Sequence, residues 1–144
     1  MEEDISLFRK IIKDDKPDFI KEISPLKLAY IGDSVYELIV RSYCLNERTA
    51  LKDLHRKKVD LVNAKAQAEI YKKIEPLLTE EEVKVAKRGR NAKGNSIPKN
   101  QSVGNYRLAT GLEALIGFLF LSKKEARLFD LIEKGLDYES EKNV

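Results

Sequence analysis

Apolar residues recur along the chain at intervals of three and four, and no segment alternates with period two between hairpin turns, so the pattern predicts helices throughout. A first short helix over Glu3 to Asp14 places Ile5, Phe8, Ile11 and Ile12 on one face, and Pro17 closes it. The second has a clear start, with Ser24 as N-cap and Pro25 at the first helical position, and runs to about Leu45. Leu28, Ala29, Tyr30, Ile31, Val35, Tyr36, Leu38, Ile39 and Val40 leave it almost no polar face, which implies burial all round or a partner surface. The reading makes it the central helix.

A third, amphipathic helix is expected over Leu51 to Ile74, closed by Pro76. Thr79 and Glu82 form a capping box for a fourth, from Glu80 to Lys87 or a little beyond. Residues 89–104 hold three glycines, Pro98 and four side-chain amides, and are expected as a long exposed loop. Val103 to Leu121 is the fifth main helix. Ser122 with Glu125 predicts a capping box for the last, which carries Leu128, Phe129, Leu131, Ile132 and Leu136 ahead of a polar tail over 137–144. The expectation is one all-α domain over residues 1–144, a size that holds a single core.

Composition narrows the chemistry. Cys44 and His55 are the only residues of their kinds, so neither a disulfide framework nor a Cys/His zinc cage can form, and a bound metal must be a hard cation on oxygen ligands. The N-terminal segment has no apolar signal-like run, and no stretch approaches the roughly 18 apolar residues of a membrane span; a soluble, cytoplasmic protein without membrane contact is expected. The net charge of +3 is ordinary, but its distribution is not. Between Val83 and Leu112 there is no acidic residue, whereas Lys84, Lys87, Arg88, Arg90, Lys93, Lys99 and Arg107 are all cationic. With those seven set aside, the rest of the chain has 20 basic against 24 acidic residues and is net negative.

Two carboxylates stand out by position. Asp33 falls in the middle of the most apolar helix, where desolvation costs on the order of several kcal/mol unless something pairs with it. Glu113 repeats the pattern as the only acidic residue between Glu82 and Glu125, set among Ala109, Leu112, Ala114, Leu115 and Ile116. Each has a bland explanation in a buried Arg partner or a helix N-terminus. If they face one another, repulsion is relieved most simply by a divalent cation that retains several waters, which describes a Mg²⁺ site. Gly32 and Gly111 adjoin the two acids, and with Gly117 they mark close helix contact, with or without a metal. Glu37 shares a face with Asp33 but is expected to be solvated or paired with Arg, outside the site.

The segment Lys87-Arg88-Gly89-Arg90-Asn91-Ala92-Lys93-Gly94 joins cations, amides and small residues. A merely solvated surface would mix charge signs, so a phosphate backbone is the favoured partner, with Lys99 and Arg107 in the same stretch. Arg48, Lys52, His55, Arg56, Lys57 and Lys58 either extend this footprint or form the wet face of the third helix. His55 has no Ser or Cys visibly paired to it and is read as a phosphate contact rather than a base.

At Leu28-Ala29-Tyr30-Ile31-Gly32-Asp33-Ser34-Val35-Tyr36-Glu37 the sequence resembles the signature helix of ribonuclease III nuclease domains, and more closely that of the short Mini-III ribonucleases, which lack a double-stranded-RNA-binding domain. The likeness continues through Val62-Asn63-Ala64-Lys65-Ala66-Gln67-Ala68, then Lys87 to Lys93, Pro98-Lys99-Asn100, and Tyr106 to Gly117. The resemblance implies an all-helical homodimer that cleaves double-stranded RNA with Mg²⁺, by in-line attack of a metal-activated water that leaves 5′-phosphate and 3′-hydroxyl ends. It implies Asp33 and Glu113 as catalytic metal ligands, while the charge pattern gives Lys87, Arg88, Arg90, Asn91, Lys93, Lys99, Asn100, Arg107, His55 and Arg56 as the expected RNA contacts. It also implies the 23S ribosomal RNA precursor as substrate and a large-subunit ribosomal protein as a further partner. Ala29, Thr110 and Ala64 stand where full-size enzymes carry acids, so water and phosphate oxygens would fill more of the metal shell. A noncatalytic RNA-binding or ribosome-associated protein on the same helices is the alternative.

Overall fold

A computed structural model describes residues 17–45, 47–92 and 102–142, and every element among them is helical. The helices are α1 (Pro17–Glu22), α2 (Pro25–Cys44), α3 (Leu51–Leu61), α4 (Ala64–Ile74), a 3₁₀ turn (Glu75–Leu77), α5 (Glu80–Arg90), α6 (Val103–Leu121) and α7 (Glu125–Lys142). The all-α expectation holds.

Two of the sequence-marked starts form as read. Ser24 Oγ accepts from Lys27 N at 3.2 Å with Pro25 behind it, so α2 begins where its cap and its donor-free first residue require. At α5, Thr79 Oγ1 accepts from Glu82 N at 3.2 Å, and Glu82 Oε1 accepts from Thr79 N at 2.9 Å, completing the capping box.

Several boundaries differ from the sequence reading. The helix expected over Glu3 to Asp14 lies outside the described residues, and Pro17 opens α1, since its fixed φ suits a first turn. The single helix expected over Leu51 to Ile74 is two. Asn63 separates them, because its Oδ1 accepts from Ala66 N at 2.8 Å while its Nδ2 donates to Val59 O and Asp60 O, both at 3.1 Å. One side chain thus ends α3 and starts α4. Gly89 and Arg90 belong to α5, and Val103 and Gly104 to α6, so helices take both ends of the expected 89–104 loop, and residues 93–101 lie outside the described set. Ser122 does not cap α7. It is the C-cap of α6, followed by Lys123 at φ 61° and a Lys124 N–H bonded back to Leu119 O at 2.9 Å, a left-handed termination that leaves α7 to start at Glu125. The expected tail is helical as far as Lys142.

The central helix is α6, not α2. Ala109 to Leu112, Ala114 to Leu119 and Leu121 are buried, with α2, α4 and α5 packed around it. Apolar composition cannot separate burial on all sides from an apolar face left open, and α2 is the second case. It buries Leu28, Ala29, Gly32, Tyr36 and Val40, but Tyr30 and Leu38 are 76% and 67% exposed. Close approach to α6 is set by glycine: a Cβ on Gly32 would overlap the Glu113 carbonyl oxygen, and one on Gly117 would overlap the Leu28 carbonyl oxygen.

The far side is tied by an ion pair between a buried carboxylate and a partly exposed guanidinium. Arg127 Nε and Nη2 donate to both Glu82 oxygens at 3.0 and 2.9 Å, and Nη2 also donates to Leu77 O at 2.6 Å. This guanidinium holds the Glu82 carboxyl below its usual range. Arg127→Met strands a buried carboxylate and should cost about 3 kcal/mol in chemical denaturation at pH 7. Because the folded pKa is depressed, the stability from Glu82 is present above the ordinary carboxyl range and disappears as pH falls through the folded value. The variant should therefore lose less on acidification than the parent.

Candidate functional site

The α2–α6 crossing brings Asp33 and Glu113 together. With Gly32 seated against the Glu113 backbone, the next residue on α2 comes beside the Glu113 carboxyl, close enough for each acid to feel the other. Their settings differ. Glu113 is half-buried, whereas Asp33 is exposed, so the expectation of two buried carboxylates holds in part for Glu113 and not for Asp33. Asp33 sits at the edge of the α2–α6 contact, open to solvent.

Burial, reinforced by the neighbouring Asp33 carboxylate, pushes the Glu113 carboxyl up to about 8. Among the described residues, no basic side chain pairs with either acid. The only other polar influence on Glu113 is Gln67 of α4, whose amide favours the charged form. No aligned hydrogen bond accompanies that proximity, and Gln67 Nε2 is buried without a partner. Glu37 stands apart as read, 3.0 Å from Arg41 and 3.8 Å from Lys58. No cluster of three or more His, Cys, Asp or Glu able to hold a metal occurs among the described residues.

The described residues among the expected RNA contacts fall on α5, α6 and α3. Lys87 and Asn91 lie exposed one turn apart at the C-terminal end of α5. Arg90 shares that end but is half-buried: its Cγ packs at Gly111, its Nη1 is 3.9 Å from Glu75 Oε2, and it neighbours the buried Tyr71 phenol. Arg88 points the other way and donates to the carbonyls of Lys21 and Ile23 at 3.4 and 3.5 Å, tying α5 to the α1–α2 corner. Arg107 is exposed one turn before Gly111, on the row of α6 that faces α5. Lys93, Lys99 and Asn100 lie outside the described residues. His55 and Arg56 are exposed on α3, a helix with no buried residue that is held by Tyr36 Oη donating to Leu61 O at 2.6 Å. His55 lines a shallow cleft with Arg41, Cys44, Leu45 and Leu51 at the end of α2.

Gln67 and Arg127 carry more of the structure than the sequence reading assigned them. The available signal for Gln67 was an amide on the otherwise apolar row Gln67, Ile70, Tyr71 and Ile74.

Comparison with known proteins bears on the same residues. The family model of the ribonuclease III domain matches residues 26–124, a span that includes both acids, Gln67 and α5. The chain is 45% identical over 116 residues to the Mini-ribonuclease 3 of Clostridium tetani, covering 79% of this chain and 77% of that protein. It is also 45% identical over 115 residues to the Mini-ribonuclease 3 of a Thermoanaerobacter species, covering 79% and 81%. A crystal structure of a Fusobacterium nucleatum protein superposes with a TM-score of 0.76 at 38% identity, covering 83% of this chain and 97% of that one. None of the described helices is long and apolar enough to cross a membrane. The chain therefore belongs to the ribonuclease III family, in its Mini-ribonuclease 3 branch, and is an endoribonuclease.

Proposed function

We propose that this endoribonuclease cleaves double-stranded RNA with Mg²⁺ held by Asp33 and Glu113, giving 5′-phosphate and 3′-hydroxyl ends, and that it acts as a cytoplasmic homodimer on the 23S ribosomal RNA precursor. The observation that carries this reading is the meeting of two carboxylates from different helices with no basic side chain paired to either among the described residues. The donor set fits a hard divalent ion, since like charges in a half-buried place favour a counter-cation, and two carboxylates leave room for water and phosphate oxygens. Mg²⁺, when bound, supplies Lewis acidity toward the phosphate and a water molecule. Asp33 presents its carboxylate where a phosphate can arrive, and Glu113 holds the inner position against α2.

Lys87, Asn91 and Arg107 are the described side chains free to take phosphate oxygens beside the α5–α6 contact, with Arg90 behind them. Lys93, Lys99 and Asn100 are proposed to extend that grip, His55 and Arg56 to add to it from α3, and Arg88 to contribute through the corner it braces. Such contacts read an A-form duplex by shape. The exposed row Tyr30, Ser34 and Leu38 on α2 supports a dimer with one site per strand. A large-subunit ribosomal protein on the precursor is the proposed further partner.

The test is to incubate the purified chain with precursor ribosomal RNA, with and without Mg²⁺, and map the ends. Mg²⁺-dependent paired cuts in one stem, with 5′-phosphates, are expected, and intact RNA under both conditions would refute the reading. Deleting residues 93–101, while sparing helical Gly89 and Arg90, should weaken duplex binding about tenfold at moderate salt, flatten its salt dependence and leave circular dichroism unchanged.

A further inference from the structure

Gln67 stands one turn into α4 with only 4% of its surface exposed, and its Nε2 finds no hydrogen-bond partner. An unmet buried amide donor costs about 1–3 kcal/mol, and an apolar side chain of similar length would fill the same volume without that cost. Packing alone gives no reason for an amide here. Its polar neighbour is Glu113, which Asp33 reaches from α2 while Gln67 reaches it from α4. A carboxylate has two oxygens, and a group that fixes one determines where the other points.

We propose that Gln67 is a positioning residue for the Asp33–Glu113 pair: its Nε2 donates to one Glu113 oxygen and turns the other toward Asp33 and the divalent ion. This rests on reading the pair as a metal site. A modest side-chain rotation of Gln67 makes the bond, and outer partners of this kind hold metal-ligating side chains in their working orientation.

The experiment uses the full chain with Gln67→Leu and Gln67→Met, which keep volume and burial but remove the donor. Mn²⁺ binding without RNA is followed by the electron paramagnetic resonance signal of the free ion, alongside the Mg²⁺ dependence of duplex cleavage and thermal melting without metal. In both variants, Mn²⁺ affinity should fall by about 10–100-fold, the Mg²⁺ midpoint for cleavage should rise in step, and the metal-free melting temperature should stay level or rise. Should one variant fail to fold, the other carries the measurement. Unchanged Mn²⁺ affinity and Mg²⁺ midpoint would reduce Gln67 to a packing residue and overturn the proposal. Asp33→Asn serves as the reference: if the parent chain itself binds no Mn²⁺ and cleaves without Mg²⁺, it is the metal site that fails, an outcome distinct from failure of Gln67 alone.

Discussion

Asp33→Asn and Glu113→Gln should each abolish RNA cleavage, with a loss of about 10³-fold or more, while leaving duplex binding measured in EDTA within about twofold. The size follows from removing one of only two protein ligands to an ion that offsets charge at the phosphate, an effect of several kcal/mol in the transition state. Binding should survive because the proposed grip lies on Lys87, Asn91 and Arg107, not on the acids. Gel shift in EDTA and single-turnover cleavage in Mg²⁺ separate the two. Equal loss of both would show the acids to be structural.

The same pair of variants should differ in stability without metal. Glu113 keeps its proton up to about 8, against about 4.3 in an unfolded chain. Between those values the folded chain binds a proton that the unfolded chain has released, so stability is full below about pH 4 and falls as pH rises toward 8. The loss should be on the order of 2 kcal/mol, reduced from the full shift because Asp33 opens the pair to solvent. Glu113→Gln should flatten this slope in metal-free melts from pH 5 to 8, and added Mg²⁺ should oppose it in the parent by favouring the ionised carboxylate. A Glu113→Gln melt that keeps the parental slope would place the responsible group elsewhere.

What could be read from sequence was whatever a local rule decides. Ser24-Pro25 and Thr79/Glu82 fix helix starts through bonds made within four residues, and both formed as read. Asp33 and Glu113 were legible because a lone acid in an apolar helix is an anomaly at any distance. The break at Asn63 was hidden because the apolar period continues across it, and only a side chain bonding in both directions makes the corner. Glu82 looked complete as a capping residue until Arg127 arrived from α7, 45 positions on. The exposure of Asp33, the open face of α2 and the unmet Gln67 amide all depend on which neighbours a helix acquires, and periodicity does not contain that information.

Gly32→Ala should cost about 4 kcal/mol, above the usual range for an overpacked core, because the new methyl has no flexible side chain to displace. It would overlap the carbonyl oxygen of Glu113, with the carbonyl carbon at 2.7 Å and Gly117 N at 2.9 Å, all of them backbone of α6. Relief requires α2 to move off α6 across the most extensive helix contact among the described residues. Gly117→Ala meets the Leu28 carbonyl in the same way and should cost as much. Gly104→Ala is the control: its Cβ would meet only Ser102 Oγ, at 3.7 Å, and the loss of backbone freedom in the unfolded chain should stabilise it by about 0.5 kcal/mol. Urea denaturation ranks the three. The folded fraction of Gly32→Ala carries a second consequence, because the displaced backbone bears Glu113 itself and the acid moves away from Asp33. Cleavage by that fraction, corrected for the amount folded, should still fall by at least about tenfold and recover in part at high Mg²⁺. Full specific activity in the folded fraction would mean that the close approach of α2 and α6 serves stability alone, and that the acids tolerate a wider separation than a shared ion allows.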